Sequence, residues 1–574
     1  MSRYTAYEAG KRPLPKTHLA WPLYGAGLGN LGQNGMPVER PLPSTAPDEM
    51  LMRIDACSLC YTDLKQIGLG SSHPRLLGRD LAKDPVVPGH EVSLTVVAVG
   101  KELAGKYQIG QRFTLQPDIW LDGKSVPFCF GMDGGYRQFT RIGKEILDAD
   151  AGNHLVPIPD ALPYAGSALV EPWACVEATY RIQYRSNLQN GGRMLIMGQN
   201  SRENLTTGSL ISPDRKPSEI FVVNLPSGLL QEIRQICRAE GITLREKNWQ
   251  EVLASDVQFD DVLLLEDAIT SLKEVNPLLA KNAVVALCQS LHSNRTADVD
   301  LGRIHYDAVQ YIGTDSTDLS EAYTFLPLRS EMKPKGRAFI LGAGGPMGRM
   351  NLQRAIQDPD GPGSIFASER NLQRYKQLDP TFTHMAENEG VDLTILNPRS
   401  EANLHEKEMQ RFLSMGGFDD IRLMVVSPKL VEEMVKFSAN RGVVDIFAGL
   451  KRGTTAAIQA DIITGLSHIG LIGHSGLTHT DEQIVLNKFS NRTLSLEHSV
   501  AAVGGMMQIP EGIEALGDSR FPGKIVIYPH IRSFPLTALP DLQEIAPDVY
   551  AALGKGETWT RQAEIVFLES YLDD

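Results

Sequence analysis

From residue 190 to 475, short apolar runs alternate with segments of helical spacing, and no other feature limits the fold as tightly. The runs "RMLIMG", "EIFVVNL", "DDVLLLE", "NAVVALC" and "AVQYIGT" have the length and composition of buried strands. Between two of them, "GLLQEIRQICRAEG" is periodic like a helix and stops at a glycine. Strand and helix in alternation mean βαβ units on a parallel sheet. Residues 335–475 repeat the scheme with "RAFILG", "SIFASE", "IRLMVVS", "GVVDIFAGL" and "IGLIGHSG". The ends correspond too: "YIGTDSTDLSEAYTF" (311–325) resembles "LIGHSGLTHTDEQIVLNKF" (471–489). An internal duplication of about 145 residues is therefore expected.

The flanks differ in style. Residues 1 to 185 are rich in Gly and Pro, with the strand-like runs "EMLMRIDA", "VSLTVVAVG" and "GGYRQFTRI", which predict an all-β, barrel-like region. Near its end, "EPWACVEATYRI" reads as a helix with Pro172 in its first turn. Residues 490–574 are mixed, and "PGKIVIYPHI" is a strand expected to pair back with the first region. The expected domains are 1–185, 186–332, 333–505 and a C-terminal segment 506–574. That division suits a chain of 574 residues.

Composition narrows the partners. A net charge of −13 argues against nucleic acid or an anionic membrane as the main partner. No run of about 18 apolar residues is present, so no transmembrane helix is expected. The start "MSRYTAYEAGKRPLPKTH" lacks the apolar stretch of a signal peptide. Six cysteines in so long a chain form no disulfide framework. The expectation is a cytoplasmic protein with reduced thiols.

Chemistry concentrates in the first region. "DACSLCYTDLKQIG" carries Cys57, Cys60, Thr62 and Asp63; "PVVPGHEVSLTVVAVG" carries His90 and Glu91; "ALVEPWACVEA" carries Glu171. Thiolate, imidazole and carboxylate are the ligand types of an open zinc site with three protein ligands. His90 and Glu91 are chain neighbours, and neighbours on a regular strand face opposite sides. They can share a metal only if Pro88-Gly89 turns the chain.

A perfect G-x-G-x-x-G occurs at Gly27, Gly29 and Gly32, but its setting is wrong. Pro22 spoils the strand before it, and "QNGMP" cannot open a helix after it. A loop is expected there. "RAFILGAGGPMGRMNLQRAI" (337–356) has the right setting: apolar strand, glycines, then helix. Its loop comprises Gly342, Ala343, Gly344, Gly345, Pro346, Met347 and Gly348. Glu369, at the end of the next strand, stands where a carboxylate bonds the ribose 2′-OH, which favours NAD; Arg370 beside it keeps NADP open. The first block has "IMGQNSREN" at this point, with Gly198 alone, so no dinucleotide is expected to bind there in that manner.

Together, "CYTDL", "PGHE…VVAVG…YQIGQRF", "GGYRQFTRI", "ALVEPWACV" and "LGAGGPMG" resemble the zinc-dependent medium-chain alcohol and polyol dehydrogenase family, in particular its sorbitol dehydrogenase-like and L-sorbose-1-phosphate reductase-like members. The resemblance covers 1–185 and 335–535, and the block at 190–330 departs from the usual two-domain plan. It implies a fold of class α/β plus β, with a GroES-like β-barrel catalytic domain and two tandem doubly wound, Rossmann-like domains. It implies Cys60 and His90 as zinc ligands, with the third carboxylate either Glu91 or Glu171. Thr62 is implied as the hydroxyl that takes the substrate's proton, and Asp63 as the partner that orients His90. The four-cysteine loop of a structural zinc is missing, so one catalytic zinc and no structural zinc are expected.

The implied reaction moves hydride between a nicotinamide cofactor and a secondary alcohol or ketone, with a polyol/ketose pair first and a phosphorylated ketose next. His73, Arg75 and Arg79 could bind such a substrate, or could form a salt-bridged surface turn. A homo-oligomer is expected from the resemblance alone. Two rivals remain: a zinc-free enone or quinone reductase, and a non-catalytic NAD-binding scaffold protein.

Overall fold

The computed structural model describes residues 2–290, 293–465 and 467–573. Contacts divide the chain into two units. One holds Met1–Ala178, Gly345–Met350 and Gly476–Asp574; the other holds Thr179–Gly344 and Asn351–Ser475.

The first unit begins its sheet with β1 (Met50–Ser58), β2 (Glu91–Val99), β3 (Arg112–Leu115), β4 (Phe139–Ile142) and β5 (Leu155–Pro157). Helix α1 (Tyr61–Leu69) follows β1 directly, and α2 (Val170–Thr179) covers the segment read as helical from Glu171. β1 and β2 run antiparallel, with Ser58 opposite Glu91 at one end and Met50 opposite Val99 at the other.

The second unit contains two parallel sheets. The first is built from β6 (Arg193–Gln199), β7 (Glu219–Val223), β8 (Thr243–Glu246), β9 (Phe259–Glu266), β10 (Leu279–Cys288) and, after β11 (Thr296–Asp300) and helix α3 (Leu301–Asp307), β12 (Gln310–Thr314). Its strand order is β8-β7-β6-β9-β10-β12. The second uses β13 (Arg337–Leu341), helix α4 (Pro346–Gln357), β14 (Ser364–Ser368), β15 (Asp392–Leu396), β16 (Phe418–Leu423), β17 (Ser438–Ile446), β18 (Thr455–Gln459), helix α5 (Ala460–Thr464) and β19 (Gly470–Ile472). Its order is β15-β14-β13-β16-β17-β19, the same as the first. β11 and β18 leave their sheets and pair with each other.

One apolar core runs through both sheets, joining Leu264, Val285 and Tyr311 to Phe339, Ile421 and Val444. That shared core is why the two blocks form one unit although their sequence patterns read separately. Four strands escape the apolar-run reading: β8, β11, β15 and β18. β8 and β15 are sheet edges, the first largely solvated and the second half-buried, so neither needs a continuous apolar run. The two blocks diverge after their last strands. Leu319–Phe325 forms 3-10 turns in the first, whereas α6 (His479–Ser490) follows β19.

The chain then returns to the first unit with β20 (Val500–Gly505), β21 (Lys524–Tyr528) and β22 (Thr537–Ala538). The full sheet reads β22-β20-β21-β1-β2-β3-β5, with β4 also paired to β1. β21 lies antiparallel to β1, with Ile527 opposite Cys57 and Val526 opposite Ser58, so "PGKIVIYPHI" does pair back. Trp21, Ile54, Val92, Leu94, Ile525 and Ile527 belong to one core.

The glycine-rich stretch at 24–37 is a loop with one short 3-10 turn, Leu28–Asn30. The Gly27 N–H donates to the Ile67 carbonyl at 2.7 Å. Gly32 has φ +72°, and a Cβ there would lie 2.3 Å from the Met36 carbonyl oxygen and 2.7 Å from the Trp21 ring. That glycine serves packing.

Just past β21, His530 gives the first unit one acid-sensitive group. Its Nε2 lies 3.0 Å from the Gln138 carbonyl, and its ring packs edge-on against Tyr7 and Phe139. Burial, helped by the Arg53 charge, pushes its pKa down from 6.5 to about 3. Below pH 6.5 the unfolded chain takes up a proton that the folded one refuses. The contribution of His530 to stability is therefore full above that pH and should fall by about 1.4 kcal/mol per unit as pH drops toward 3. Urea denaturation at pH 7 and pH 5 checks this: the loss should be smaller in His530→Gln than in the wild type.

Candidate functional site

In the first unit, Cys60 ends the extended stretch after β1 and caps α1. Its N–H donates to Asp63 Oδ2 at 2.9 Å, and the Asp63 N–H donates back to the Cys60 carbonyl at 3.0 Å. This reciprocal cap ties the Cys60 backbone to the carboxylate three residues on. Asp63 is fully buried and accepts two more hydrogen bonds, from the Tyr136 hydroxyl at 2.8 Å and the Gly89 N–H at 3.2 Å. Its Oδ1 lies 3.4 Å from His90 Nδ1, a charge contact slightly too long for a hydrogen bond. That contact holds the His90 pKa well above normal, although burial by itself would lower it.

The chain turns at Gly89, where φ is +93° and a Cβ would sit 2.5 Å from the Tyr136 ring. Only glycine fits. His90 therefore precedes β2 while Glu91 begins it, and both reach the same side as Cys60. The ligand atoms of Cys60, His90 and Glu91 all lie within 4.8 Å of one another. A second group with the same spacing joins Asp63, His90 and Cys129.

Glu91 is fully buried, and one oxygen takes an ion pair of 2.5 Å from Lys524, the first residue of β21. Its other oxygen has no hydrogen-bond partner. Glu171, on α2, lies outside the 4.8 Å group but senses it. Burial raises its pKa to about 7, with His90 and Lys524 pulling down and Glu91 pushing up. Cys175, one turn along, donates to Glu171 Oε1 at 3.8 Å, and burial pushes its thiol well above normal. Cys57 is a fully buried core residue.

Thr62 occupies the second position of α1 and is part-exposed. Arg75 pairs with Asp118 at 2.7 Å, and Arg79 pairs with Asp84 while donating to the Phe130 and Pro85 carbonyls. His73 stacks on Phe130. The stretch is a salt-bridged turn.

At the end of β13, Gly342 has φ +81°, and the N–H groups of Gly342 and Ala343 donate to the Ser368 carbonyl. A Cβ on Gly344 would lie 2.6 Å from the Glu369 side chain. Helix α4 opens at Pro346, so Gly345, Pro346, Met347 and Gly348 form the turn from loop to helix. Glu369 follows β14 and is buried; its two oxygens accept from the Gly344 N–H at 2.9 Å and the Asn371 N–H at 2.7 Å. Arg370 beside it is exposed. In the first sheet the matching edge is filled by side chains: Glu266 pairs with Arg202 and Arg295, each at 2.8 Å, and Asn200 bonds Asp267 at 2.7 Å.

Residues 46–149 match the alcohol dehydrogenase GroES-like domain family. Mannitol-1-phosphate 5-dehydrogenase of Aliivibrio fischeri is 24% identical over 325 residues, covering 50% of this chain and 74% of that protein. L-sorbose 1-phosphate reductase of Klebsiella pneumoniae is 25% identical over 327 residues, covering 52% and 78%. A solved oxidoreductase/dehydrogenase of unknown specificity from Escherichia coli shares the fold, with TM-score 0.50 at 13% identity over 89% of this chain and 99% of that one. The chain is thus similar to alcohol and polyol dehydrogenases, and residues 46–149 carry their GroES-like domain. It is an NAD(P)-dependent dehydrogenase by class. Among the described residues, no helix is long and apolar enough to cross a membrane.

Three residues at this site are absent from the sequence reading of it. Lys524 is one; its only signal was a charge opening an otherwise apolar strand. Tyr136 and Cys129 are the others; Tyr136 lies in a stretch that reads only as strand, and Cys129 reads from the sequence as a structural cysteine.

Proposed function

We propose that this protein interconverts a sugar alcohol and a ketose, with zinc held by Cys60, His90 and Glu91 and with a nicotinamide dinucleotide on the 342–348 loop. The observation that carries this reading is the convergence of a thiol, an imidazole and a carboxylate within 4.8 Å, from the end of β1 and the start of β2. The donor set suits zinc, and the unpartnered Glu91 oxygen is the sort of buried acceptor that a cation satisfies.

Bound zinc supplies Lewis acidity to the substrate oxygen, and the nicotinamide ring supplies the hydride acceptor or donor. The remaining work belongs to the chain. Asp63 holds the His90 ring and keeps one nitrogen free. Lys524 holds one Glu91 oxygen and leaves the other to the cation. Thr62 offers a hydroxyl on the first turn of α1 for the proton that leaves or joins the substrate oxygen. Glu171 is the reserve carboxyl, whose pKa is raised by burial to about 7 and which senses the Glu91 charge. Glu369 takes the ribose hydroxyls in exchange for its present backbone bonds, which favours NAD over NADP.

Phosphorylated substrates are the second reading, on the strength of the sugar phosphates in the two relatives' names. Arg75, half-exposed and paired with Asp118, would be the cation to take a phosphate in exchange for that partner.

Metal analysis of purified protein, followed by a panel of polyols, ketoses and their phosphates with both dinucleotides, tests the proposal. Zinc near one per chain and turnover with NAD are expected. Gly344→Val should abolish NADH binding, because its side chain would collide with Glu369. Metal-free protein that reduces enones or quinones would replace this reading with its zinc-free rival.

A further inference from the structure

The block at 186–332 has no fingerprint glycines and no role in the chemistry above, yet it meets the cofactor block in a particular way. β11 and β18 hold the same place in their blocks, between the fifth and last strands of each sheet. They pair antiparallel with each other. Thr296 opens β11 and faces Gln459, the last residue of β18; Thr455 opens β18 and faces Asp300, the last residue of β11. The middle residues, Asp298 and Ala457, face each other. A strand pairing with its own equivalent about its midpoint is the signature of a two-fold, isologous interface.

The exchange continues beyond the strands. α3 follows β11 and packs on β17, β18 and β19 of the cofactor block; α5 follows β18 and packs on β10 and β12 of the first block. The edge strands β12 and β19 meet. Each sheet has a glycine at the same point, in "YIGT" and "LIGH". A Cβ on Gly313 would lie 2.4 Å from Thr464 of α5, and one on Gly473 would lie 3.2 Å from the Cα of His305 of α3.

We propose that residues 186–332 act as a built-in partner subunit, with α3 as the element that positions the loop after β17 at the cofactor-binding edge. The second half of this statement rests on the function proposed above. Doubly wound sheets hold their ligands at the carboxyl ends of the strands, and Ile446 is that end of β17. Its carbonyl lies 3.1 Å from His305 Nδ1. Gly449, three residues on, is closed in by the Tyr306 hydroxyl and His305 Nε2, which a Cβ would meet at 2.5 and 2.8 Å. Asp307 takes Arg452 at 2.9 Å, Asp300 takes the Gly453 N–H at 2.8 Å, and Leu301 donates to the Thr454 carbonyl. Residues 446–454 are thus held from one side by α3 and its first neighbours. The contact that a single-block relative could make only with a second chain is made here within one chain, and the expected homo-oligomer is internalised.

Two measurements on the full chain decide it. Asp298→Cys with Ala457→Cys joins facing residues of an antiparallel pair, whose Cα separation of about 4.5–5.5 Å suits a disulfide. On oxidation, a non-reducing gel should show the cross-link within the single chain of 63.1 kDa. A cross-linked dimer would overturn the built-in subunit, since the pairing would then run between chains. For the positioning role, Gly302→Ala drives a methyl to 2.6 Å from the Lys451–Arg452 backbone, and Tyr306→Ala removes the wall beside Gly449. Each should raise the Kd for NADH at least about fivefold, a modest coupling between sites. Lower melting temperatures with unchanged NADH affinity in both variants would reduce α3 to mere structure. Wild-type protein that fails to bind NADH would sink the proposed function instead, and the cross-link would still report on the subunit.

Discussion

Cys60→Ser is expected to leave the purified protein folded but without its metal, and to cut kcat/KM for the best polyol by at least about a thousandfold. That factor corresponds to roughly 4 kcal/mol of transition-state stabilisation, the scale of one Lewis-acid contact. The argument is geometric. Cys60 contributes the only thiol of the Cys60–His90–Glu91 group, and its N–H is already used in capping α1, so serine preserves the cap while losing the soft donor. His90→Ala should behave alike. Cys57→Ala is the contrast: that sulfur is sealed in the core beside Gly89 and Gly135, so its loss should lower stability and spare the metal. Metal content and kcat/KM measured together separate the cases. Retention of full zinc by Cys60→Ser would remove the centre from this account.

Lys524→Met should have the largest effect on stability, and the effect should depend on metal. Lys524 and Glu91 are both essentially inaccessible, with side-chain exposures of 4% and 0%, and they touch at 2.5 Å. Removing the ammonium leaves a buried carboxylate unpaired, which costs about 3–5 kcal/mol. The cation at the site gives Glu91 a second partner, so the zinc-loaded variant should recover much of that loss while the chelator-treated one does not. Adding Glu91→Gln should recover stability without metal, because no bare charge then remains. Denaturant titrations of the loaded and stripped forms of all three proteins check this. Equal destabilisation with and without zinc would mean that Glu91 does not face the ion.

Much of the architecture was legible in the chain because the signals were local. The strands from "RMLIMG" to "IGLIGHSG" are buried on both faces, so continuous apolar runs mark them. The false fingerprint at Gly27–Gly32 could be set aside from its neighbours alone, since Pro22 and "QNGMP" forbid the strand and helix that a phosphate site needs. Edge strands such as β8 and β15 were invisible for the opposite reason: one side of each has no neighbouring strand, and their sequence carries no continuous apolar run.

The candidate site shows the same division. Cys60, Asp63, His90 and Glu91 lie in two short motifs whose spacing and residue types announce metal chemistry. Their convergence required one turn, at Gly89, that the sequence could only permit. The relation of Glu171 to Glu91 stayed open because they lie 80 residues apart on different elements, and tertiary packing leaves no periodic trace.

Residue types, periodicity and stop signals settled the kinds of element, their order along the chain and the chemistry they could carry, because each depends on interactions within a few residues. Tertiary structure decided which distant groups meet. Lys524 finds Glu91 across 433 residues only because β21 joins β1 in one register. The first block serves the second only because β11 pairs with β18 about a common midpoint. Register and symmetry are properties of surfaces brought together, and a one-residue slip that barely alters local energies would send every one of these side chains to the other face.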